Sequence, residues 1–99
     1  MYTILGTVTA SPETRDELLA LLQAQVAPTR AEAGCIDYDL HVDAADPCVF
    51  VFYENWTDRA ALDAHLAMPH LHPLLSQIDR LLACPVEIRP LTMLSAQVG

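Results

Sequence analysis

Ninety-nine residues set the scale of one domain. Hydrophobic residues make up 53% of the chain and charged ones 18%, which excludes a disordered tail. Acidic residues outnumber basic ones 13 to 5, for a formal net charge of −8. The basic residues are all Arg, scattered at 15, 30, 59, 80 and 89. They offer no clustered cations for nucleic acid or for an anionic membrane surface. No apolar run approaches the roughly 20 residues that span a bilayer. The first residues, Met1 to Gly6, lack the basic-then-apolar pattern of an export signal, so the expected address is the cytoplasm. So much apolar composition in so short a chain must line a cavity, cover a partner, or both.

Residues 2–10 alternate and are rich in β-branched side chains, which predicts a strand ended by Ser11-Pro12. Thr14 and Glu17 fit a capping box, with Asp16 and Glu17 placed to favour a helix N-terminus. Leu18, Leu19, Leu22, Val26 and Thr29 then recur at helical spacing. Pro28 is expected to kink the last turn or start a new one, and Gly34 to stop the helix. A second strand spans 35–42, with Ile36, Tyr38, Leu40 and Val42 on one face and Cys35, Asp37, Asp39 and His41 on the other. Asp43 to Pro47 reads as a turn. The strongest strand runs from Cys48 to Trp56, with Val49, Val51 and Tyr53 on one face and Phe50, Phe52 and Trp56 on the other. A strand apolar on both faces is covered on both.

Thr57-Asp58 predicts the cap of a helix reaching about Ala67, interrupted by Pro69. Leu71, Leu74, Leu75, Ile78, Leu81 and Leu82 form a stripe on a further helical piece that Pro85 ends. Residues 86–94 read as a last strand in which Pro90 marks an edge or a bulge, and 95–99 as a loose tail. The order β-α-β-β-α-β is that of a ferredoxin-like α+β domain over residues 2–94, a four-stranded antiparallel sheet with helices on one face. No element is left to cover the other face of the third strand. A homodimer packed sheet to sheet supplies that cover. Cys35, Cys48 and Cys84 have no CxxC spacing, and the first two would sit about 20 Å apart along the hairpin, so three reduced thiols are expected.

Three stretches carry a resemblance: Val26 to Tyr38, Phe50 to Trp56 (FVFYENW), and Ala64 to Leu71 (AHLAMPHL). Together they resemble the antibiotic biosynthesis monooxygenase domain family, which includes quinol monooxygenase-like proteins. The resemblance implies a dimeric α/β barrel with an apolar pocket between sheet and helices in each subunit. Some members oxygenate phenols, anthrones or quinols with O₂ and no metal, flavin or haem; others degrade haem; one branch isomerises a phosphorylated autoinducer. The haem-degrading pattern implies Asn, Trp and His where this chain has Gly6, His65 and Leu75, so haem chemistry is not expected. The isomerase branch shares an acid matching Glu54 and histidines matching His65 and His70, but this chain offers few cations for a phosphate.

His65 and His70 are the leading chemical candidates, because imidazole titrates near pH ~6.5 and takes protons at neutral pH. The blander readings are a buried helix residue for His65 and a cap or hinge for His70. A metal site from His65, His70 and His72 matches no recognised ligand spacing, and none is expected. Glu54 would be a base or proton shuttle if it faces the pocket, and a structural partner of an Arg if it faces an interface. Asn55 would orient a substrate oxygen or initiate the following turn. Trp56, Tyr38 and Tyr53 are candidates for contact with a flat aromatic ligand, although alternation puts Tyr53 and Trp56 on opposite faces. The three Gly, at 6, 34 and 99, build no dinucleotide fingerprint, which fits a scheme without cofactors. The leading expectation is a cofactor-free monooxygenase acting on a small aromatic molecule. An isomerase or lyase on the same scaffold and a non-catalytic dimeric ligand-binding module are the alternatives.

Overall fold

A computed structural model describes residues 1–95. Strands β1 (Tyr2–Thr9), β2 (Cys35–Val42), β3 (Val49–Trp56) and β4 (Glu87–Leu91) form one antiparallel sheet in the order β2-β3-β1-β4. Helix α1 (Arg15–Arg30) follows β1. Helix α2 (Arg59–Leu66), a 3₁₀ turn (Pro69–Leu71) and the short helices α3 (His72–Leu75) and α4 (Ile78–Leu81) lie between β3 and β4. This is the ferredoxin-like α+β arrangement, with the two-faced strand β3 inside the sheet.

The side chains that β3 turns toward the helices alternate with those on the bare face, as period 2 requires. Phe50, Phe52, Glu54 and Trp56 are buried against the helices, while Val49, Val51 and Tyr53 are half-buried. Leu18 and Leu22 of α1, Leu62 of α2, and Leu74 and Leu81 close the core over Ile4, Val8 and Tyr38. Burying each of the large apolar side chains stabilises the fold by about 1.5–3 kcal/mol relative to exposure.

Several local expectations are corrected. Thr14 occupies the N-cap position of α1, but its side chain makes no capping bond. Its hydroxyl instead donates to the Leu81 carbonyl at 2.7 Å, tying the helix start to α4, and Glu17 pairs with Arg80. Gln25, rather than Val26, is fully buried on the α1 stripe. Pro28 does not break the helix, which continues to Arg30. Near the helix end the absent N–H leaves one carbonyl of the preceding turn unbonded, a local cost the last turn tolerates. In β2 the register slips between Cys35 and Asp37, so Cys35 pairs with Trp56 and Asp37 with Asn55. That bulge takes Ile36 out of alternation and leaves it 48% exposed. The helical stripe after Pro69 is broken into three short pieces, and β4 covers only Glu87–Leu91, an exposed edge strand containing Pro90. Asp58 caps α2 as expected, its carboxylate accepting from the Ala61 N–H at 2.8 Å. All three cysteines are free. The tail expected at 95–99 lies, apart from Ser95, outside the described residues.

Candidate active site

Between the sheet and the helices lies a cavity of about 220 Å³, open on one side and lined mostly by apolar side chains. Ile4, Val8 and Phe52 form its sheet wall; Leu22, Leu62, Leu71 and Leu74 form its helix wall. Three of the described lining residues carry polar side chains: Tyr38, Glu54 and His65. Gly6 is the reason the sheet wall stays open in front of Glu54. It pairs with Phe52, and a Cβ built there would lie 3.8 Å from both the Phe52 Cβ and the Glu54 Oε2.

Glu54 is 6% exposed and stands on the helix-facing side of β3. The indole N–H of Trp56, two residues along the same face, donates to its Oε1 at 3.0 Å. Burial pushes the Glu54 carboxyl up to about 7; the Trp56 hydrogen bond opposes that rise and the nearby negative Glu32 adds to it. Glu54 therefore exchanges a proton near neutral pH. Tyr38, opposite Glu54 in the β2–β3 register, is driven the same way. Burial first, and the Glu54 charge second, raise its phenol well above the usual range. Tyr38 thus stays a neutral phenol, its hydroxyl beside the Thr29 side chain, which opposes the rise.

His65 extends from α2 and is 3% exposed. Its ring lies 4.8 Å from the Trp56 ring and 5.6 Å, edge-on, from Tyr38. Its Nδ1 meets Glu32 Oε2 at 2.7 Å. A carboxylate accepts, so Nδ1 carries a hydrogen, and in the neutral tautomer the lone pair is on Nε2. Glu32 reaches His65 because the turn after α1 presses against α2. Gly34 permits that approach: a Cβ there would stand 2.3 Å from the Ala61 Cβ. The Gly34 carbonyl also accepts from the Thr57 N–H at 2.9 Å, fixing the turn.

His70 stands behind His65, with ring centroids 5.9 Å apart. Pro69 ends the α2 run, and the 3₁₀ turn that follows swings His70 back toward Glu32. Gln25 holds it with both ends of its amide. Gln25 Nε2 donates to the His70 carbonyl at 2.9 Å, and Gln25 Oε1 sits 2.8 Å from His70 Nδ1. His70 Nε2 is 2.9 Å from the same Glu32 oxygen that His65 contacts.

The structure thus brings Glu54, Tyr38 and His65 to the cavity, with Trp56 and His70 one contact behind them. Trp56 is fully buried and supports Glu54 and His65 rather than lining the cavity wall. Asn55 and Tyr53 are not brought to the cavity, because alternation turns them to the helix-free face. There Asn55 is engaged by Thr3, which donates to its Oδ1, and by Asp37, which accepts from its Nδ2 at 2.9 Å. His72 is not part of the cluster. Sequence reasoning missed Glu32 and Gln25. Both lie on or after α1, more than 30 residues from the histidines they hold. The only local signal was Gln25 at a core position of the helical stripe, where an unpaired amide would be costly.

Comparison with known proteins places this geometry. The sequence profile of the antibiotic biosynthesis monooxygenase family matches residues 1–73. The chain is 42% identical over 83 residues to Rv0793 of Mycobacterium tuberculosis, a protein named as a candidate monooxygenase, spanning 84% of this chain and 81% of that one. It is 37% identical over 86 residues to the Synechocystis protein sll1783, covering 87% of this chain but only 58% of the relative's length. The crystal structure of PA3566 from Pseudomonas aeruginosa superposes with a TM-score of 0.89 at 40% identity, over 95% of this chain and 94% of that one. The structure of Rv0793 gives the same TM-score at 35% identity, over 98% of each chain. The chain belongs to the antibiotic biosynthesis monooxygenase family.

Proposed function

We propose that the protein is a cofactor-independent monooxygenase that oxidises a small phenol or quinol with O₂. The observation that carries this reading is the pairing of a largely apolar cavity with two proton acceptors, Glu54 and His65, on its wall. The volume of about 220 Å³ exceeds the ~150 Å³ of a dry cavity that holds benzene. It suits one substituted ring or two fused rings, which favours a quinol over a three-ring anthrone. Arg side chains are absent from the described lining, which weighs against a phosphorylated substrate and hence against the isomerase branch.

In this scheme His65 Nε2, oriented by the Glu32 contact at Nδ1, takes the hydroxyl proton, and Glu54 exchanges protons near neutral pH. Tyr38 donates toward the phenolate oxygen. The electron-rich ring then reduces O₂ itself: one oxygen atom enters the ring and the other leaves as water. For a quinol the product is a hydroxyquinone, and the substrate supplies all the electrons. Exclusion of water by the leucine wall protects the anion from reprotonation by solvent. O₂ uptake is measured with a panel of quinols and phenols and no added cofactor. Turnover by the wild type that collapses in His65→Ala supports the scheme. Conversion without O₂, or binding without conversion, contradicts it.

We also propose that two copies pack through their helix-free faces. Leu5, Val49, Val51 and Tyr53 share that face with Leu91 of the exposed edge strand, giving it an apolar stripe. Light scattering at micromolar concentration reads twice the single-chain mass if this holds, and the single-chain mass if it does not.

A further inference from the structure

The contacts around Glu32 gather two imidazole nitrogens and a carboxylate at one shielded point. Gln25 Nε2 faces a backbone carbonyl, which only accepts, so the orientation of that amide is fixed. Gln25 Oε1 is therefore the atom facing His70 Nδ1, and Nδ1 must carry the hydrogen. His70 Nε2 stands 2.9 Å from Glu32 Oε2. A proton on Nε2 satisfies that contact, and a cation held between the two groups would do so as well. The same carboxylate oxygen is shared with His65 Nδ1.

We propose that Glu32, His65 and His70 form a binding site for a divalent transition-metal ion of the zinc class. One ligand atom from each of the three residues lies within 4.8 Å of the other two, and His65 Nδ1 and His70 Nε2 are the nitrogens that meet the Glu32 oxygen. Two imidazole nitrogens and a carboxylate oxygen are the donors that such ions prefer over Mg²⁺ or Ca²⁺. Three protein ligands leave at least one position for water. The Glu32 side chain is only 8% exposed and that of His65 4%, so an ion there would be largely shielded from solvent. A route for the ion exists that avoids the apolar cavity. Glu32 also lines an open surface depression with Gly34, Ala61 and Met68, and Asp58 sits on its rim.

Occupancy changes His65. The ion takes Nδ1, the hydrogen moves to Nε2, and the Nε2 lone pair is no longer free to accept a proton. Metal binding and proton abstraction thus compete for one ring. That consequence rests on the proposed oxygenase reading, whereas the binding itself does not.

The test uses chelator-treated full-length protein without substrate, titrated with Zn²⁺ by calorimetry and with Co²⁺ by visible absorption. One ion per chain is expected, with d–d bands and no thiolate charge-transfer band. Long-range ¹H–¹⁵N spectra with Zn²⁺ should shift the ring nitrogens of His65 and His70, put the His65 hydrogen on Nε2, and leave His41 and His72 unchanged. Glu32→Gln and His70→Gln should abolish stoichiometric binding, while Cys35→Ser and His72→Gln retain it; circular dichroism verifies the fold of each. The wild-type spectra decide the matter should a variant fail to fold. No stoichiometric binding, shifts at His41 or His72 instead, or binding that survives Glu32→Gln overturns the proposal. Binding without loss of O₂ uptake would overturn only the competition.

Discussion

Glu54→Gln isolates the energetic consequence of placing a carboxyl group in an apolar wall. The carboxyl has an ordinary value of 4.5 and rises to about 7 in the folded protein, chiefly through burial. Below 4.5 the group is protonated in both states. Between 4.5 and about 7 the folded protein keeps a proton that the unfolded chain releases. The unfolded state then binds fewer protons, so stability falls as pH rises through this window and levels off above it. At 1.36 kcal/mol for each decade of proton affinity, the loss from this one group is roughly 3 kcal/mol. Glutamine is neutral throughout and still accepts from the Trp56 indole, so the variant should lack this loss. Urea unfolding followed by the fluorescence of Trp56, the single tryptophan, measures both proteins from pH 5 to pH 8. The variant should gain on the wild type from pH 5 to about pH 7, by roughly 2.5 kcal/mol, and the difference should level off by pH 8. Parallel curves would refute the burial of an ionisable Glu54 and with it the proton-exchange role.

Three further substitutions test neighbouring parts of the site. Trp56→Phe removes the donor to Glu54 Oε1, so the Glu54 carboxyl should titrate above about 7, read by ¹³C shifts of the carboxyl group. Gly6→Leu should fill the space before Glu54 and abolish binding of a quinol in calorimetry, whereas Gly6→Ala, whose Cβ meets only contacts of 3.8 Å, should bind normally. Gly34→Ala should cost about 1–3 kcal/mol in urea unfolding through its clash with Ala61. It should also loosen the Glu32–His65 contact, visible as a change in the ¹⁵N shift of His65 Nδ1.

How far the sequence carried the account is clear from individual residues. The succession Val49, Phe50, Val51 and Phe52 marked β3 as apolar on both faces, and the strand pairs on both edges, with β1 and β2. Asp58 was legible as a cap, since its role depends only on neighbours three residues away. Thr14 carried the same local signal and was overruled, because the Leu81 carbonyl, 67 residues distant, competes for its hydroxyl. Ile36 escaped for a similar reason: the register slip that exposes it is a property of the strand pair. At the site, His65 and Glu54 announced themselves as ionisable groups in apolar segments. Asn55 did so equally, and only the pairing of strands shows it facing Thr3 and Asp37. Glu32 gave no signal, because its partners come from the other half of the chain and it is brought to them by the close approach of Gly34 to α2.

The central claim is that this cavity lets an aromatic substrate react with O₂ directly. Incubation of the purified, chelator-treated protein with a quinol under ¹⁸O₂, with no cofactor added, tests it most directly. The account predicts a hydroxyquinone carrying one ¹⁸O atom, the second appearing in water, with the label lost in His65→Ala. Product formed at the same rate without O₂, or containing no ¹⁸O, would contradict it.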